Sequence, residues 1–256
     1  MSRKRRTSGE SRVTLKGSSD HLASIILPVH NQADHIESVV KEFDAALANA
    51  LRIRREFILV VNGSTDGSAA KCRTIAQRYP GVQVIETEQK GWGRAVKLGL
   101  AASRGDTLCY ANSARTTARD LVIILLHAVL DDDVVVKATR KIRDSALRRI
   151  GSLLFNLECR ALFDLANWDV NGTPKAFPRR FANLLSLERT DDLIDLEFVV
   201  RCRRENYPIV EVPIFSRSRH GGRSTTNLRT AVGLYLGCFT MWRELKDHRR
   251  RAGAGS

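Results

Sequence analysis

Four short apolar runs, each closed by a polar turn that leads into a segment of helical periodicity, restrict this chain to a layered α/β architecture. The first, Ala23-Ser24-Ile25-Ile26-Leu27, is expected to stop at Pro28 and to feed a periodic segment from about Asp34 to Leu51. Phe57 to Val61 repeats the pattern, ends in Asn62-Gly63-Ser64-Thr65-Asp66-Gly67, and precedes a helix reaching about Tyr79. Val82 to Ile85 gives a third strand, Lys90 to Ala95 opens another helix, and Thr107 to Ala111 gives a fourth strand. A helix between successive strands is the crossover that parallel neighbours require, so the sheet is predicted to be mostly parallel with helices on its faces.

The pattern continues with a helix over Ala118 to Leu130, a strand at Val134 to Lys137 and a basic helical stretch from Arg148 to Phe163. A turn at Asp169 to Lys175 follows, then a helix at Leu193 to Glu205 and a strand at Ile209 to Pro213. With 256 residues and neither an internal repeat nor a linker, the expectation is one domain over residues 22–226. An amphipathic helix over 227–248 would complete it, between a basic tail at 1–21 and another at 249–256. The longest apolar window in the C-terminal region, Ala231 to Trp242, is 12 residues, too short to span a bilayer.

Forty-two basic residues against 28 acidic ones give a formal charge of +14. That charge favours polyanionic partners: nucleic acid, anionic lipid or a phosphate-bearing substrate. No basic, aromatic-rich sheet motif accompanies it, so specific nucleic-acid binding is not expected. Peripheral contact with an anionic membrane is, alongside simple solubility. Five cysteines without a close pair, and no secretory signal, read as reduced core thiols of a cytoplasmic protein, peripheral on the inner membrane face if it meets a membrane.

In an open parallel sheet, ligands bind at the carboxyl ends of the strands. The candidate binding residues therefore come from the turns there. Pro28, His30 and Asn31 follow the first strand; Asn62, Gly63 and Asp66 follow the second. The second turn suits close backbone approach and contact with a base or ribose, and equally an ordinary helix cap by Asp66 or Ser64. Gly91, Gly93 and Arg94 open a helix whose N–H groups and dipole would favour a diphosphate. Lys175 reads either as a phosphate contact or as a solvated loop lysine. Neither the phosphate loop ending in Gly-Lys-Ser/Thr nor the dinucleotide fingerprint is present.

In order and spacing these turns resemble glycosyltransferase family 2, which commonly carries a Pro-x-x-Asn turn and a second strand ending Asp-Asp-Gly-Ser-x-Asp. Here those positions are Pro28 to Asn31 and Val61 to Asp66. The resemblance runs on through Gly91, Gly93, Ala95 and Gly105-Asp106. It includes Asp169 to Lys175, which is similar to the Asp-x-Asn-Gly-Thr-Pro-Lys segment of the polyprenyl-phosphate branch, the dolichyl-phosphate mannose synthase-like enzymes. Asp195 with Glu197 and Arg201, Tyr207 to Pro213, and the basic loop from His220 to Thr226 complete it, covering about Ala23 to Leu245.

The resemblance implies a GT-A fold and transfer, usually inverting, from a nucleotide-diphosphate sugar to a small molecule or a polyprenyl phosphate. It makes Asp195, then Glu197, the candidate catalytic bases, with Asp191 and Asp192 as neighbours. It brings His220 and Arg223 to the phosphates, with Arg140 and Arg148 on the acceptor side. The Asp-x-Asp that holds a divalent cation in this family aligns with Asn112-Ser113-Ala114, and no acidic residue lies between Asp106 and Asp120. Asn112 and Ala114 would thus border the donor without a tightly bound metal, since magnesium and manganese prefer hard carboxylate oxygens. No cofactor is expected, with Mg or Mn left open. Arg94, Arg115, Arg119 or the Arg217, Arg219 and Arg223 loop would offset the leaving-group charge. The alternative is a catalytically degenerate domain kept as a binding or scaffold partner.

Overall fold

The computed structural model describes residues 20–141, 146–215 and 228–253. Its element order is β1 (Leu22–Val29), α1 (Ile36–Ala50), β2 (Arg54–Asn62), α2 (Ser68–Arg78), β3 (Val82–Thr87), α3 (Trp92–Ala102) and β4 (Thr107–Tyr110). There follow α4 (Ala118–Leu130), β5 (Val135–Arg140), α5 (Ala146–Phe163), β6 (Lys175–Pro178), a 3-10 turn (Ala182–Leu185), α6 (Ile194–Arg204), β7 (Ile209–Ile214) and α7 (Leu228–Gly253). The seven strands form one sheet in the order β3-β2-β1-β4-β6-β5-β7. Every neighbouring pair is parallel except those made by β6, which runs antiparallel to both β4 and β5.

The central strands are continuous apolar runs because both faces are covered. Ile25, Leu27 and Val29 of β1 and Phe57, Leu59 and Val61 of β2 pack with α1, α2 and α4. The alternate residues Ile26, Ile58 and Val60 pack with α3, α5, α6 and α7. Helix α4 spans the residues expected of it, its start fixed by Thr117, whose side-chain oxygen accepts from the Asp120 N–H at 3.1 Å.

Three expectations change. β1 does not stop at Pro28 but runs to Val29, with Pro28 opposite Val60 of β2. The β4 ladder on the other side of β1 ends at Ile26 opposite Tyr110, so the N–H that proline lacks faces no strand, and its carbonyl accepts from the Ser113 hydroxyl at 2.9 Å. Lys175 is not in a loop: it opens β6 and is fully buried. Helix α7 extends to Gly253, past the expected end at 248.

Candidate donor site at the strand ends

The carboxyl ends of β1, β2 and β4 meet the N-terminus of α3, and polar side chains tie these turns to one another. Asn31 adopts a left-handed φ of 51°. Its N–H donates to Ser64 Oγ at 3.1 Å, and its Oδ1 accepts from the Thr65 N–H at 2.8 Å. Asp66 accepts from the Ala33 N–H at 3.0 Å and from the N–H and hydroxyl of Ser68, so it ties the β1 turn to the first residue of α2. Burial works against its charge but is outweighed by those hydrogen bonds, which hold the carboxyl below the usual range.

Asn62 is buried and turned inward. Its Nδ2 donates to the Val29 carbonyl at 3.0 Å, and its Oδ1 accepts from the Gly91 N–H at 3.3 Å. The carbonyl of Asn62 accepts from His30 Nδ1 at 2.8 Å, which fixes the proton on that nitrogen because a carbonyl only accepts. A neutral amide can donate to Val29 where a carboxylate could not. The amide is therefore the residue type this junction requires, and it joins β1, β2 and the α3 turn.

Gly91 and Gly93 serve a close approach of two backbones. A Cβ at Gly91 would lie 2.7 Å from the Thr190 carbonyl oxygen, and one at Gly93 would lie 2.5 Å from that of Asp191. The Arg94 N–H donates to the Thr190 carbonyl at 3.0 Å. The segment before α6 thus lies on the start of α3, where an exposed diphosphate cradle was expected. Gly63, with φ 54°, admits Lys90 and Glu88 in the same way. The Nε of Arg94 is buried without a hydrogen-bond partner among the described residues, in the first turn of this helix.

Asp195 and Glu197 hold that segment from the two sides of α6. Glu197 accepts from the backbone N–H groups of Glu188 and Arg189, each at 2.8 Å, and from Arg201 Nε at 3.0 Å. Asp195 accepts from the Trp92 indole at 3.0 Å through Oδ2, and from the Tyr110 hydroxyl at 2.9 Å and the Lys175 ammonium through Oδ1. Both of its oxygens are engaged in the core, one by a fixed cation. Both residues expected as catalytic bases are thus engaged here as internal anchors. Asp192, three positions before Asp195, is solvent-exposed yet crowded by protein atoms. That crowding, with the charges of Asp195 and Asp191, holds its carboxyl above the usual range.

The anchor belongs to a polar row across four strands. Tyr110 of β4 lies opposite Lys175 of β6, Lys175 opposite Lys137 of β5, and Lys137 opposite Glu211 of β7. Both lysines are fully buried; Lys137 donates to Glu211 at 2.7 Å and to the Trp168 carbonyl at 2.5 Å. Burial pushes both ammonium groups below their ordinary range, opposed by Asp195 for Lys175 and by Glu211 for Lys137. Burial first, then the Asp195 charge, pushes the Tyr110 hydroxyl well up. Beside the row, Arg140 makes a two-pronged pair with Asp169 at 2.8 and 2.6 Å. Asp169 to Lys175 is therefore a buried charge-matching segment; only part of that was visible from its turn residues.

At the strand end where the family holds a metal, the residues do not fit one. Asn112 Oδ1 accepts from the Ala114 N–H at 3.1 Å. The Ser113 hydroxyl lies between the Pro28 carbonyl and Gln32 Oε1 at 2.9 and 2.8 Å, and Ala114 offers no ligand atom. Among the described residues, the one group of three His, Cys, Asp or Glu side chains close enough to share an ion is Asp131, Asp132 and Asp133. It precedes β5, at the opposite edge of the sheet. His220, Arg223, Arg217 and Arg219 lie outside the described residues, as does the Arg148 side chain.

Comparison with known proteins gives this frame a family. An undecaprenyl-phosphate 4-deoxy-4-formamido-L-arabinose transferase of Pseudomonas fluorescens (strain Pf0-1) is 26% identical over 232 residues, covering 86% of this chain and 64% of the relative. Its counterpart from strain SBW25 is 27% identical over 168 residues, 64% of this chain and 49% of the relative. The chain thus spans less than two thirds of the length of these curated relatives. Among solved structures, a mycobacterial protein matches with a TM-score of 0.69 at 19% identity, over 93% of this chain and 80% of the other. Glucosyl-3-phosphoglycerate synthase from Mycobacterium tuberculosis, in complex with Mn2+, UDP and glucosyl-3-phosphoglycerate, matches with a TM-score of 0.67 at 18% identity, over 92% and 84%. These structural likenesses establish the GT-A fold. The model of glycosyl transferase family 2 matches residues 24–182, which carry β1 to β6 and every turn of the strand-end site, and the chain belongs to that family.

Proposed function

We propose that this protein transfers a sugar from a nucleoside diphosphate to a polyprenyl phosphate, with inversion and without a divalent ion held by strand-end carboxylates. The observation that carries the metal-free reading is the Asn112-Ser113-Ala114 turn, whose oxygens are bonded within the protein or absent. A departing nucleoside diphosphate still develops charge, and cations can offset it in place of a metal. Arg94 supports this role, since it stands in the first turn of α3 with its Nε lacking a partner among the described residues. Arg115 and Arg119, just after β4, are the next candidates by position.

The relatives' names support a polyprenyl phosphate acceptor. Such an acceptor also fits the engagement of Asp195, because a phosphate dianion attacks without a base to take a proton, whereas a hydroxyl needs one. Were a hydroxyl the acceptor, the exposed Asp192 with its raised carboxyl would be the base. The purified chain is tested by release of nucleoside diphosphate from a panel of nucleotide sugars with and without a short-chain polyprenyl phosphate. Release that requires the polyprenyl phosphate supports the reading. Release driven equally well by small sugars or phosphoglycerate rejects that acceptor.

A second reading, a catalytically degenerate domain kept as a scaffold partner, is favoured by one observation: Asn62, where a base or ribose contact is expected, is bonded to Val29 and Gly91 instead. Under it, nucleotide sugars leave the thermal midpoint unchanged and no acceptor is glycosylated.

A further inference from the structure

Two helices on the face of the sheet that carries Asp195 leave a large apolar surface uncovered. On α5, Ile150, Leu153, Leu154 and Leu157 recur at intervals of three and four, which places them on one side of the helix. Phe155 and Cys159, on the other side, pack into the core. On α7, Val232, Leu236 and Phe239 recur at intervals of four and three, opposite the buried Cys238 and Met241. Leu236 is 66% exposed and Ile150 56%, more than any core-packing role explains.

The two helices pack side by side. The Tyr235 hydroxyl donates to the Gly151 carbonyl at 2.5 Å, its ring meets Phe155 at 5.7 Å, and the thiols of Cys159 and Cys238 lie 3.7 Å apart. Each stripe is turned away from this joint core, so together they make an apolar patch of the kind that soluble monomers rarely expose.

Charge decides what covers it. Within residues 146–163 and 228–253 the sequence holds nine Lys or Arg against three Asp or Glu. Arg149 and Arg243 are exposed next to the stripes, and Lys246 lies over the Trp242 ring at 4.7 Å, beside Phe239. Apolar stripes edged by cations, with a tryptophan at the border, suit the headgroup region of an anionic bilayer. A symmetric pairing of two copies would instead bring the same basic residues together. No described helix is long and apolar enough to cross a membrane, so the contact is with the surface.

We propose that the paired α5/α7 face is a docking surface for an anionic lipid bilayer, entered by Ile150, Leu153, Leu154 and Leu157 together with Val232, Leu236 and Phe239. This deepens the polyprenyl phosphate reading, because it would hold the domain where such an acceptor resides, but it is measured without any sugar. The intact chain is sedimented with vesicles of phosphatidylcholine alone and of phosphatidylcholine with phosphatidylglycerol. Partition onto the anionic vesicles is expected to exceed that onto neutral ones by roughly tenfold or more, and to fall as salt is raised.

The paired substitutions Leu153→Glu with Leu157→Glu, and Leu236→Glu with Phe239→Glu, are each expected to lower that partition by roughly tenfold. All four side chains are exposed, and an unchanged thermal midpoint verifies the fold. Three results overturn the proposal: no preference for anionic vesicles, variants that partition like the parent, or a dimer by light scattering that the Leu236/Phe239 variant makes monomeric. Vesicle binding without sugar transfer leaves the surface standing and rejects the acceptor reading. Transfer to a soluble short-chain polyprenyl phosphate without vesicle binding does the reverse.

Discussion

Replacing Asp195 by Asn separates an anchor from a catalytic base. The substitution keeps the shape of the side chain and removes its charge, leaving the fully buried Lys175 ammonium with no other hydrogen-bond acceptor described for it. The rings of Tyr110 and Phe198, at 5.4 and 5.8 Å from that ammonium, offer weak cation–π compensation. The new amide oxygen, set in the Oδ1 place, can accept from Lys175 and Tyr110 but carries no compensating charge, and the amide N–H groups then face the Trp92 indole N–H. Breaking a buried pair by removing one partner destabilises by about 3–5 kcal/mol, a large share of the roughly 5–15 kcal/mol that holds a domain together. The assay is urea unfolding followed by tryptophan fluorescence, in which Trp92 reports directly on the site. Asp195→Leu with Lys175→Met, which removes both charges, is expected to recover most of the loss. A loss below about 1 kcal/mol for Asp195→Asn, with transfer reduced by orders of magnitude and no recovery in the double variant, would refute the anchor and restore the base.

Gly93→Ala is expected to destabilise by about 1–3 kcal/mol, read by the same unfolding curve, because its Cβ meets the backbone of Asp191 and not a side chain that can yield. Asn62→Asp is expected to destabilise by about 1–3 kcal/mol at neutral pH, since it sets a carboxylate oxygen against the Val29 carbonyl. Asp192→Asn is expected to leave transfer to a polyprenyl phosphate unchanged and to reduce transfer to a hydroxyl acceptor, measured as nucleoside diphosphate release. Glu56 is nearly fully buried and accepts from Ser24 and Arg104; burial opposes its charge, but these bonds lower its pKa below the ordinary value of 4.5. The stability it contributes is therefore full above that value and is lost as pH falls through the lower, folded-state pKa. Glu56→Gln is expected to flatten that part of an acid unfolding profile.

The fold was legible where local pattern and burial agree. β1, β2 and β4 are apolar runs buried on both faces, and α4 begins at a threonine cap, so composition and spacing were enough. β6 was not legible, because its four residues open with a lysine and end on a proline, and its hydrogen-bonding neighbours come from β4 and β5. The charge of Lys175 is matched by Asp195, on a helix twenty residues further on, which no local window contains. Gly91 and Gly93 were legible as the opening of a helix suited to a diphosphate, but what lies against them is the Thr190 and Asp191 backbone, about a hundred residues away in sequence. Asp195 and Glu197 were read from family position as chemistry; their partners, visible only in three dimensions, make them the two anchors of α6.

Isothermal titration of the nucleoside diphosphate, in chelator and then in excess manganese or magnesium, tests the metal-free strand end most directly. The Asn112-Ser113-Ala114 geometry predicts affinities that agree within about twofold, and a marked loss on replacing Arg94 by Ala. An affinity that falls by roughly tenfold or more, at least 1.4 kcal/mol, when the metal is removed would contradict the account.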